Sequence, residues 1–74
     1  MHAAAEKELA LTIEFEKEND GRVIAEIPEL PGVMAYGRTH KEAALKVQAL
    51  AYRVLADRLE IEKKTTEGVK FAFA

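Results

Sequence analysis

The stretch from Thr39 to Leu59 contains neither glycine nor proline and is rich in Ala, Leu, Lys, Arg and Glu. Such a run favours one continuous helix, predicted here from about His40 to about Leu59. Thr39 and Glu42 stand at the two positions of a capping box. The Thr hydroxyl accepts from the N–H of Glu42, and the Glu carboxylate reaches back to the N–H of Thr39. In a chain of 74 residues, one long helix cannot bury its own apolar face. The rest of the chain must provide a surface for it to lie on.

That surface reads as a sheet. Large apolar residues fall on alternate positions in Leu9-Ala10-Leu11-Thr12-Ile13-Glu14-Phe15-Glu16, which places Leu9, Leu11, Ile13 and Phe15 on one face of a strand. Asp20-Gly21 between two apolar runs signals a hairpin into a second, antiparallel strand, Arg22 to Ile27. Pro28 and Pro31 interrupt the ladder because neither carries an N–H. Val33 to Tyr36 reads as a short third strand and Val69 to Phe73 as a last one. Ile61 to Gly68 forms a charged connector. The order β-β-β-α-β defines a single α+β domain over residues 9–74, with a mainly antiparallel sheet and the helix on one of its faces. Residues 1–8 are small and charged and are expected to form a flexible tail.

The helix is apolar over more of its circumference than one contact requires. Ala44, Val47, Ala51, Val54 and Leu55 make the core face, and Glu42, Lys46, Arg53 and Asp57 a polar stripe. Leu45, Ala49, Tyr52 and Ala56 extend the apolar arc beyond the core face, which calls for a second partner. Alternation also puts Ile24, with Tyr36 or Met34, on the far side of the sheet beside Glu14 and Glu26. Ile24, Leu45, Ala49, Tyr52 and Ala56 are thus the candidate surface of a homo-oligomer.

Eleven basic and thirteen acidic side chains leave a net charge of -2, without the basic excess typical of nucleic-acid-binding domains. Cys is absent, which excludes disulfides and thiolate zinc sites. With no Ser either, the two commonest nucleophiles are missing. His2 and His40 do not share a ligand spacing, and the glycines are isolated rather than gathered in a phosphate loop. No secretory or membrane segment is evident, so a soluble, cytoplasmic protein without cofactor is expected. Glu14, Glu16 and Glu26 gather on one sheet face, as acids do in two-metal nucleases. The simpler reading is a wetted outer face, with Lys17, Arg22 and Lys70 available to neutralise it.

One segment is more specific. Val23-Ile24-Ala25-Glu26-Ile27-Pro28-Glu29-Leu30-Pro31-Gly32-Val33, followed by Gly37-Arg38-Thr39-His40-Lys41-Glu42-Ala43, resembles the HicB antitoxin family over most of the span from Leu9 to Leu59. The shared features are a strand, a Pro-acid-Leu-Pro-Gly turn, a short strand and a Gly-x-Thr-x-x-Glu-Ala helix start. The resemblance implies a partial ribonuclease H-like fold with degenerate catalytic acids. It also implies a non-enzymatic function, binding and neutralising a HicA-type toxin, a small basic ribonuclease that cleaves messenger RNA. A mildly acidic antitoxin complements such a partner. Glu29, Leu30, Pro31 and Tyr36 are the expected contact residues, with Glu14 and Glu26 beside them.

The chain departs from the family in having Val33 where Cys often follows the Pro-Gly. It also lacks the carboxyl-terminal operator-binding segment of many members, so direct DNA binding is not expected. Two other readings stand beside this one: a stand-alone oligomeric domain binding another protein or a small molecule, and a degenerate metal-dependent nuclease.

Overall fold

The computed structural model describes residues 9–63 and 68–74. Its elements are β1 (Leu9–Lys17), β2 (Val23–Glu26), β3 (Met34–Gly37), α1 (His40–Asp57) and β4 (Val69–Phe73), with a π-helical turn at Arg58–Glu62 continuing α1. The expected tail, residues 1–8, and part of the connector, residues 64–67, lie outside the described residues. The sheet order is β3-β2-β1-β4. β1 and β3 flank β2 antiparallel, while β4 runs parallel to β1 at the opposite edge. A chain leaving β3 through a long helix has the length to return parallel to β1, which two-residue turns do not allow. The result is a small α+β domain with a four-stranded mixed sheet and one long helix.

The β1–β2 hairpin closes on Asn19, Asp20 and Gly21. Gly21 N–H donates to the Glu18 carbonyl at 3.0 Å, and Glu18 N–H to the Arg22 carbonyl at 2.7 Å. Gly21 takes φ 92°, the left-handed residue that ends this class of three-residue loop. Asp20 braces the exit: its carboxylate accepts from Arg22 N–H at 3.0 Å and from Arg22 Nε at 2.7 Å.

The proline-rich segment is two successive turns. Leu30 N–H donates to the Ile27 carbonyl at 3.0 Å, then Val33 N–H to the Leu30 carbonyl at 2.9 Å. The second turn has Pro31 at its second position and Gly32, at φ 87°, at its third, the signature of type II. Ile27, Leu30 and Val33 are each 5% exposed or less, so turns of three residues carry every third side chain inward. Leu30, expected on the surface that meets a partner, is therefore a core residue at 2% exposure. The same hydrogen bond holds Val33 in the turn, and β3 begins one residue later than expected, at Met34.

The core joins Leu11 and Ile13 of β1, Val23 and Ala25 of β2, and Ala43, Val47, Ala51 and Leu55 of α1 to the three turn residues. Val54, placed by periodicity in the core, packs at its edge. Gly37 lies directly beneath the start of α1, where an added Cβ would come within 2.5 Å of Ala43 N. Thr39 Oγ1 accepts from Glu42 N–H at 3.0 Å, as the capping box requires. The Glu42 carboxylate, however, accepts from Arg38 N–H at 2.6 Å instead of that of Thr39. The helix continues beyond Asp57 as the π turn and stops at Lys63, which adopts the left-handed conformation with φ 59°.

Candidate protein-binding surfaces

Strand pairing settles which side chains share the outer face of the sheet. Glu14 is opposite Glu26 and Glu26 opposite Met34, while Glu16 is opposite Ile24 and Ile24 opposite Tyr36. Paired residues project to the same side, and this is the side away from the Leu11, Ile13, Val23 and Ala25 core. Glu14, Glu16 and Glu26 are exposed, and Ile24 is half-buried between them. Met34 is 41% and Tyr36 39% exposed. Glu14, Glu16, Ile24 and Glu26 line a shallow groove on this face.

The expected cations form no ion pair with these carboxylates among the described residues, although Arg22 and Lys70 share the face. Lys17 pairs with Val23 and so projects to the helix side. Lys70 is beside Ala10 at the far end of β1. Arg22 bonds Asp20, and its guanidinium lies over the Tyr36 ring, 4.4 Å from the centroid. Ion pairs among the described residues are Asp20–Arg22 and Glu42–Lys46, so the three carboxylates are unpaired. Among the described residues no three His, Cys, Asp or Glu side chains are grouped to hold an ion.

Glu29 has a task within the chain. Its carboxylate accepts from Thr12 N–H at 2.9 Å and from Thr12 Oγ1 at 2.7 Å. β2 ends at Glu26, short of the position opposite Thr12, so the pairing with β1 stops before Thr12 and the carboxylate takes the place of a strand carbonyl. These bonds, the backbone one foremost, hold the Glu29 carboxyl below its ordinary 4.5. Arg38 N–H, followed by the Lys46 charge, does the same for Glu42, and Arg22 N–H for Asp20. Pro31 is exposed at the turn. Of the expected contact residues, Tyr36, Glu14 and Glu26 therefore share one face, Glu29 is committed to β1, and Leu30 is interior.

A second surface lies on α1. Leu45 is 59% and Tyr52 54% exposed, and Ala49 and Ala56 are exposed with them. Ile24 is on the opposite side of the domain, so the expected oligomer surface is two separate patches. The Tyr52 ring meets Phe71 of β4 edge-on, with centroids 5.6 Å apart. Sequence reasoning missed three further exposed apolar side chains, Leu59 and Ile61 after α1 and Phe73 in β4, which are 49%, 75% and 59% exposed. Phe73 follows the alternation of a buried face yet is exposed, its ring stacked at 6.3 Å from that of Phe15. Phe15 also packs on His40 at 4.9 Å, so His40 rests against an aromatic ring at the helix start.

No described helix is long and apolar enough to cross a membrane. Comparison with protein-family models, curated proteins and solved structures finds no match.

Proposed function

We propose that this chain is a HicB-like antitoxin domain of partial ribonuclease H-like fold that neutralises a HicA-type, mRNA-cleaving toxin in the cytoplasm by protein–protein contact. The observation that carries the reading is the outer sheet face: three carboxylates without an ion pair among the described residues, Glu14, Glu16 and Glu26, around Ile24, with Tyr36 and Met34 alongside. A small ribonuclease needs a basic surface to hold RNA. A rigid acidic face with an apolar and aromatic centre suits that surface, because charge steers the encounter while desolvated rings and aliphatic groups hold the complex. The β-β-β-α-β order, with β4 parallel to β1, agrees with the fold this reading assumes. The chemistry asked of the domain is occlusion, which needs no nucleophile and no metal.

The experiment is co-expression with the small basic protein encoded beside it, followed by copurification and rescue of growth. Under this proposal the wild-type chain copurifies and restores growth, while Glu14→Lys with Glu26→Lys does neither and remains folded. A chain that rescues equally well with both charges reversed contradicts the assignment of the acidic face.

A further inference from the structure

The outward side of α1 carries Leu45, Ala49, Tyr52 and Ala56 at intervals of four, three and four residues, all of them exposed. This is the 3.5-residue repeat of a helix that packs lengthwise on another helix. Large and small side chains alternate along it, so the bulky residues of one ridge have room over the alanines of a second. Leu59 prolongs the ridge into the π turn. Contact with Phe71 fixes the Tyr52 ring before any partner arrives.

Charges beside the ridge decide what can lie on it. Lys46 and Arg53 come first along the chain, Asp57 and Glu60 after them. A second copy laid parallel sets this charged flank against the opposite flank of the ridge, where Lys41 and Gln48 offer Asp57 and Glu60 no charged partner in register. Laid antiparallel, with Tyr52 over the second copy's Ala56, it brings Lys46 toward Glu60 and Arg53 toward Asp57, each pair formed twice, at the cost of one approach between the two Arg53 side chains at the axis. Sliding the helices one heptad the other way places Lys46 beside Arg53, so charge selects one register. Within one chain, Arg53, Asp57 and Glu60 form no ion pair among the described residues, and Lys46 reaches only Glu42, at 3.9 Å.

We propose that two copies of this chain form an antiparallel dimer through α1, about a two-fold axis near the level of Val54. The acidic outer face of the sheet is on the other side of each domain, so the dimer presents two such faces outward. The inference is independent of the toxin reading and is tested on the full chain alone.

Sedimentation velocity over a concentration series gives a dimer for the wild type at about 100 μM and below. Ala56→Glu, on an exposed helical position, preserves the circular dichroism spectrum and raises the dissociation constant at least tenfold. Lys46→Glu weakens the dimer by about tenfold, and Lys46→Glu with Glu60→Lys restores it. A wild-type monomer at several hundred micromolar overturns the proposal. So does a dimer indifferent to Ala56→Glu, or a charge swap no tighter than Lys46→Glu alone. None of these outcomes bears on toxin binding.

Discussion

Leu30 shows how much one side chain's position can change a reading. It stands between two prolines in a turn, yet it is buried with Ile27 and Val33. Truncation to Ala is expected to cost about 2–5 kcal/mol, and Leu30→Asp to unfold the domain, both measurable by urea denaturation. Gly37→Ala forces a Cβ against the backbone of Ala43 and is expected to cost about 1–3 kcal/mol. Lys63→Gly relieves a left-handed residue that carries a Cβ, with an expected gain of about 1 kcal/mol.

The lowered carboxyls of Glu29, Glu42 and Asp20 have a definite sign. Their contribution is complete above the unfolded pKa values and is lost as pH falls through the folded ones. Stability should therefore change little from neutrality down to about pH 5 and decline below about pH 4.5. Glu29→Gln should narrow the difference between denaturation midpoints at pH 7 and pH 3; an unchanged difference contradicts the Thr12 contact as its source. The inward turn of Leu30 was legible in the three-residue spacing of Ile27, Leu30 and Val33, a period that belongs to neither strand nor helix. The Glu29–Thr12 bond was not legible, because it joins residues brought together only when β2 ends.

Among the elements, alternation in β1 placed the inward residues correctly, since a strand with one buried face has little freedom of register. The helix start was equally plain. Thr39→Ala is expected to cost about 1 kcal/mol, read as a lower melting temperature with unchanged helix content. The Glu42 bond to Arg38 departs from the expected partner by one residue, a difference in backbone direction before the cap that composition does not encode. The helix end was less legible. No glycine marks it, and the chain passes through a π turn to a left-handed Lys63, a conformation that composition does not announce. The sequence also suggested cations for the outer face. It counted them without knowing that the hairpin turns Lys17 to the helix side and that Tyr36 and Asp20 hold Arg22.

At the scale of the molecule, the domain has a small core between helix and sheet and two further surfaces facing away from it. One is acidic and belongs to the sheet; the other is apolar, flanked by ordered charge, and belongs to α1. A domain of this size gains stability from any surface it covers, and the two surfaces are placed so that neither obstructs the other. The central claim is that the acidic face is the adhesive one. Isothermal titration of the chain into the proposed partner, a small basic HicA-type ribonuclease, at low and at moderate salt, tests it directly. The account predicts submicromolar binding that weakens as salt rises and falls at least tenfold in Glu14→Lys with Glu26→Lys. Absence of binding, or binding indifferent to both salt and charge reversal, would contradict it.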